Sequence, residues 1–79
     1  MPVEQQATIS VSDNVVHCRG AWTLPNLIEL ERRSERLRWP DAPDVICDVG
    51  GVTAMDTGGA LLLQRSINGL RRLGRTVSL

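Results

Sequence analysis

Residues 44–49, Asp-Val-Ile-Cys-Asp-Val, place apolar side chains at three successive positions, Val45, Ile46 and Cys47, and again at Val49. A short run of this kind, bounded by Pro43 and by Gly50-Gly51, reads as a strand buried on both faces, the pattern of the centre of a parallel sheet. A parallel neighbour needs a crossover connection, normally a helix. Helix-period segments stand on both sides of this strand, so the chain is constrained toward an α/β fold. Its 79 residues suffice for one small domain.

Before the central strand comes a hairpin. Residues 1–6 are polar and expected to be frayed. Ala7, Ile9 and Val11 then alternate with Thr8, Ser10 and Ser12, the period of a strand. Asp13-Asn14 is a two-residue turn, since both residues tolerate positive φ, and Val15 to Arg19 returns. This loop pairs Ser12 with Val15, Val11 with Val16, Ser10 with His17 and Ile9 with Cys18. Opposed residues share a sheet face, so apolar and polar residues segregate correctly in that register. Gly20-Ala21-Trp22 is expected to leave the sheet. Thr23 is a candidate N-cap and Pro25 fits the first turn of a helix reaching about Arg38. Leu27, Leu30, Ser34 and Leu37 form its inner stripe, with Leu24 and Ile28 at one edge.

After the central strand, Gly50 to Met55 reads as a short connection. Asp56 caps a second helix that Gly74 closes. At 100° per residue, Ala60, Leu62, Leu63, Ser66, Ile67, Leu70 and Leu73 fall on its inner arc. Arg75 to Leu79 alternates again and reads as a last strand. The order is β-β-α-β-α-β: a four-stranded mixed sheet with the first strand antiparallel, the rest parallel and the helices on one face. A chain ending on a core strand is expected to be a fragment of something longer.

Composition narrows the function. Nine Arg balance five Asp and four Glu, with no Lys, so the basic footprint that nucleic acids or anionic membranes require is missing. Trp22 and Trp39 are the only aromatic residues, too few for base-stacking platforms. No apolar run approaches the ~20 residues of a membrane span. Cys18 and Cys47 lie in strand-like runs without metal-ligand spacing, so no metal or other cofactor is expected, and reduced thiols fit a cytoplasmic location. His17 lies mid-strand, and the glycines form no phosphate loop. Nothing here points to an enzyme.

What remains is the segment from Asp48 to Ala60. Asp48 is read as ordering the turn after its strand and Asp56 as capping the second helix. Thr57 presents a hydroxyl in the first helical turn beside that cap. In an open α/β sheet this edge is the usual functional one. Thr57, Leu61, Gln64, Arg65 and Asn68 share an outward stripe by helical spacing. Leu61 is the apolar residue on an otherwise polar face, which suggests a protein-docking patch. Gly59 points toward the sheet and permits close packing, whereas Gly58 at the rim leaves room for a partner. The candidate interface is therefore Asp56, Thr57, Gly58, Leu61, Gln64, Arg65 and Asn68.

At these residues the chain resembles the STAS family, the domains shared by sulfate transporters and anti-sigma-factor antagonists. That family's signature is a strand ending Asp-Leu-Ser-x-Val, then Asp-Ser/Thr-Ser/Ala/Gly-Gly opening a helix. Here it stands as Asp48-Val49-Gly50-Gly51-Val52 and Asp56-Thr57-Gly58-Gly59. Gly50 replaces the family's Ser, and the helix that closes the family's fold has no counterpart before Leu79. Thr57-Gly58-Gly59 followed by Ala60-Leu61-Leu62-Leu63 looks most like the STAS-like domains of Mla-type lipid ABC transporters, either free subunits or the N-terminal part of the permease. The resemblance implies a non-enzymatic cytoplasmic module docked on the transporter's ATPase. It also implies an alternative, an anti-sigma-factor antagonist phosphorylated by a kinase at Thr57.

Overall fold

The computed structural model describes residues 6–79, and the expected fraying of residues 1–5 lies outside them. The chain is an α/β domain with elements β1 (Thr8–Ser12), β2 (Val15–Trp22), α1 (Leu27–Arg36), β3 (Asp44–Met55), α2 (Thr57–Arg72) and β4 (Thr76–Ser78). A single 3-10 turn, Leu24–Asn26, leads into α1. The four strands form one sheet in the order β1-β2-β3-β4, with β1 antiparallel to β2 and the others parallel.

The hairpin register is the one that polarity requires: Ile9 faces Cys18, Val11 faces Val16, Ser10 faces His17 and Ser12 faces Val15. Of the turn residues, Asp13 alone has positive φ, at 52°. The start of β3 is tied to this turn, because the Ile46 amide donates to the Asn14 carbonyl at 2.9 Å.

Several elements differ from the sequence expectation. Strand β2 continues through Gly20 to Trp22, and β3 continues through the glycines to Met55, because the two stay paired from Arg19–Gly51 to Trp22–Met55. Irregular register between His17 and Arg19, and between Gly20 and Ala21, absorbs residues that read as a loop in the sequence. The helix α1 starts later and ends earlier than expected. Thr23 precedes the 3-10 turn without a side-chain cap bond, Asn26 is the N-cap of α1, and Leu37 is already extended.

The central strand is not buried on both faces. Val45 and Cys47 lie in the core, but Ile46 is 44% exposed on the far side. Both helices cover the face that carries Ile9, Val16, Cys18, Val45 and Cys47, where Trp22, Leu30, Leu62, Ile67 and Leu70 complete the core. Among the described residues no helix covers the opposite face. Leu30, Val16 and Val45 are each about 1% exposed, and a side chain buried to that degree contributes roughly 1.5–3 kcal/mol. Cys18 and Cys47 are free and buried. Hydrogen bonding to Cys47 and burial push the Cys18 thiol far up, so it is an inert core group.

Two backbone approaches set the geometry around α2. Gly20 adopts φ +83°, and a Cβ there would overlap the Gln6 carbonyl. At Gly59 a Cβ would overlap the carbonyl oxygen of Trp22, so the first turn of α2 sits directly on the end of β2. The helix ends with the Gly74 amide donating to Arg71 O at 2.9 Å and the Arg75 amide to Leu70 O at 3.2 Å, the paired bonds of a Schellman terminus. Arg75 then locks the return to β4, donating to Pro40 O at 2.9 Å and to Asp41 Oδ1 at 2.6 Å.

Gly69 has no such role. It lies inside α2, is exposed, and an added Cβ would meet nothing within 4 Å. Since Gly costs about 1 kcal/mol against Ala in a helix interior, Gly69→Ala is expected to stabilise the domain by about that amount. Urea unfolding midpoints with an unchanged m-value check this.

Candidate functional site

The site begins with Asp56, the N-cap of α2. Its Oδ1 accepts from the Gly59 amide at 3.0 Å, and its Oδ2 accepts from the Leu24 amide at 2.8 Å. The Asp56 amide itself donates to Trp22 O at 3.3 Å. One carboxylate therefore caps α2 and fastens the 3-10 turn ahead of α1 to it. The Gly59 amide, followed by that of Leu24, holds the Asp56 carboxyl below the usual carboxylate range.

That shift carries a pH dependence. The folded state favours the ionised carboxylate, so the unfolded chain binds more protons near the ordinary Asp value of about 3.9. The stabilisation is complete above that value and is lost as pH falls through the lower folded value. Melting temperature is expected to fall below about pH 4, and less steeply in Asp56→Asn, which keeps one acceptor and carries no charge. A melting series from neutral to acid pH tests this by the difference in slope.

Thr57 follows the cap and is exposed, as are Leu61, Gln64, Arg65 and Asn68 along the same helix. Leu61 is 59% exposed. Asp56 ties the backbone of Leu24 (72% exposed) to the start of α2, Ile28 (67%) follows four residues later, and Met55 (39%) ends β3 just before the cap. Four exposed apolar residues thus belong to the elements that are joined at the Asp56 cap. Sequence patterning singled out Leu61 alone. Leu24 and Ile28 read as the edge of a core stripe, yet both are exposed, and the Asp56–Leu24 bond ties the first of them to the α2 cap.

Gly58 does not leave a vacancy for a partner. The space over it holds Leu27, whose Cδ1 a Cβ at Gly58 would overlap. Leu27, Gly58, Leu61, Leu62, Glu31 and Arg65 instead line a shallow depression between the helices. Arg65 spans it, donating to Glu31 Oε2 at 2.9 Å. Ala60, placed on the inner arc by its wheel angle, is exposed, because β4 is only three residues long and does not extend beneath it.

Asp48 orders its own turn, accepting from the Gly50 amide at 2.9 Å. That bond, ahead of the contact with His17, holds its carboxyl low. His17 Nδ1 stands 3.4 Å from Asp48 Oδ2. The register also sets Ser10, His17 and Asp48 side by side on three adjacent strands, an alignment invisible without strand order. It lacks the elements of nucleophilic catalysis. Among the described residues no hydrogen bond joins Ser10 to His17, and the line lies on the open sheet face, away from the depressions between the helices.

Among the described residues no cluster of three or more His, Cys, Asp or Glu could hold a metal ion, and no helix is long and apolar enough to cross a membrane. Comparison with protein-family models, curated proteins and solved structures returns no match.

Proposed function

We propose that this chain is a STAS-like docking module without catalytic activity of its own. It works on the cytoplasmic side of an ABC-type lipid transporter, as a subunit or as part of the permease, and binds the transporter's ATPase through the start of α2. The observation that carries this reading is the exposure of Leu24, Ile28, Met55 and Leu61 on the elements joined at the Asp56 cap, which we read as an apolar collar beside Thr57. Exposed apolar residues of this size, when grouped, mark interaction surfaces, protein-docking faces among them. The β-β-α-β-α-β order and the place of Asp56-Thr57-Gly58-Gly59 at the opening of α2 support it. The face is preorganised, because Asp56 already satisfies the amides of Gly59 and Leu24, so docking orders little backbone. Calorimetric titration of the ATPase subunit encoded with this chain tests the reading, with Leu61→Asp as the disabling variant.

A second reading rests on one observation, the exposure of Thr57 one residue beyond an occupied cap. There the chain is an anti-sigma-factor antagonist and Thr57 is its phosphoacceptor. The α2 N-terminus favours a phosphate while the Asp56 carboxylate opposes it. Incubation with anti-sigma kinases and labelled ATP should then label the wild type and not Thr57→Ala. Equal labelling of both proteins excludes Thr57.

A further inference from the structure

Strand β1 is one edge of the sheet. It pairs with β2 on one side, and among the described residues no strand pairs with its other side. The two-residue turn closes the hairpin on Ser12 and Val15, the pair that exchanges both of its backbone hydrogen bonds in such a loop. Alternation then turns the N–H and C=O groups of Thr8, Ser10 and Ser12 toward β2, and those of Ile9 and Val11 away from it. Two donors and two acceptors therefore line the outer edge without a strand partner.

An edge of this kind is normally blunted by a charge, a proline, a bulge or extreme shortness. The opposite edge follows that rule, since β4 has three residues and is entered through Arg75. Strand β1 does not. Its Thr-Ile-Ser-Val-Ser contains no charged residue, proline or glycine. Its register with β2 is unbroken over all five positions, and Thr, Ile and Val are strong strand formers.

The same five residues select the occupant, because they are close to palindromic: polar, aliphatic, polar, aliphatic, polar about Ser10. With two copies set antiparallel about a two-fold axis at Ser10, Ile9 of one opposes Val11 of the other. Each such pair exchanges two hydrogen bonds, so four bonds satisfy every outward group of Ile9 and Val11 on both copies. The faces match as well. Ile9, 6% exposed, and Val11 belong to the helix-covered side. Thr8, Ser10 and Ser12 are exposed on the other, where Ser10 meets Ser10 and Thr8 meets Ser12. A slip of one residue would oppose Ile9 to Ser10 and misalign the backbone groups.

We propose that this chain self-associates through β1, two copies joining antiparallel about Ser10 so that their two four-stranded sheets become continuous. A five-residue edge is small, and interfaces below about 1,200 Å² are weak and transient, so a dissociation constant on the order of 100 μM is expected. The dimer uses no residue of the docking face and stands whether or not the ATPase binds there.

Sedimentation of the full chain from about 10 μM to about 1 mM tests it, because mass action must drive the equilibrium. The average mass should rise from one chain toward two, and the Ile9 and Val11 amides should become protected from exchange as it does. Ser10→Lys sets two like charges against each other at the axis and should weaken the dimer about tenfold or more. Thr76→Lys, on the opposite edge strand, should leave it unchanged. Both positions are exposed, so both variants should stay folded, which their amide spectra verify. Ser10→Cys reads the register: Cβ atoms about 5 Å apart across the axis should give a covalent dimer with oxidised glutathione. Thr8→Cys, offset from its counterpart by roughly 13 Å along the strand, should not. Three results overturn the proposal: a single chain at every concentration, an equal dimer in Ser10→Lys, or a dimer that Thr76→Lys abolishes.

Discussion

Gly59→Ala is expected to destabilise the domain severely, whereas Gly58→Ala, one residue earlier, is expected to leave its stability nearly unchanged. The two glycines look alike in sequence, both in the first turn of α2. At Gly59 the methyl group would overlap the Trp22 carbonyl, which is backbone of the sheet and cannot rotate away. Relief requires lifting α2 off β2, and with it the Asp56 amide bond to Trp22 O and the core contacts of Leu62. A cost of about 3 kcal/mol or more is expected, the upper end of overpacking effects, against a total of ~4–12 kcal/mol for a domain this small. At Gly58 the obstacle is Leu27 Cδ1, the far end of a flexible side chain at the rim of the helix layer. A change of rotamer relieves it, and the gain in helix propensity offsets up to about 1 kcal/mol of the strain. Urea unfolding separates the cases. A Gly59→Ala midpoint close to wild type would mean that α2 does not rest on β2 as described.

On the proposed docking reading, Leu61→Asp is expected to eliminate binding of the ATPase while leaving the fold unchanged. Leu61 is exposed on a polar helix face, so a carboxylate there costs the free domain little. In the proposed complex the same carboxylate would be buried at an apolar contact without a partner. Loss of an anchor at the centre of an interface costs about 2 kcal/mol or more, or roughly 30-fold in affinity, and burial of an unpaired charge adds to that. Gln64→Ala, on the same stripe without apolar area to lose, should change affinity by less than about threefold, as most interface residues outside a hot spot do. Equal loss in the two variants would point to a diffuse polar surface instead of an apolar anchor.

Much of this fold is legible in the sequence because its rules are local. Polar alternation and a two-residue turn settle the β1–β2 register, and the Asp56 cap and Gly74 terminus bound α2 to within a residue or two. The misreadings have a common physical origin in long-range pairing. Gly50 to Met55 reads as a loop because glycines disfavour strands, yet β2 pairs with it throughout and supplies the hydrogen bonds that propensity does not anticipate. Ile46 reads as buried because its neighbours are apolar, but among the described residues no layer covers the second face of the sheet.

The candidate site divides in the same way. Thr57 and Leu61 follow from helical spacing alone. Leu24 is tied to the same cap by a hydrogen bond from its amide to a carboxylate 32 positions away, which no local pattern encodes. The apparent vacancy at Gly58 is filled by Leu27 for the same reason. The row of Ser10, His17 and Asp48 likewise depends on which strands become neighbours.

The most direct test is a photo-crosslinking residue placed at position 61 in cells carrying the native gene, with the adduct identified by mass spectrometry. The docking reading predicts a covalent adduct with the ATPase of an ABC transporter, which weakens when Asp56→Ala loosens the collar. An adduct with a protein kinase and none with an ATPase, or efficient crosslinking at an outward position on β1 with none at position 61, would contradict it.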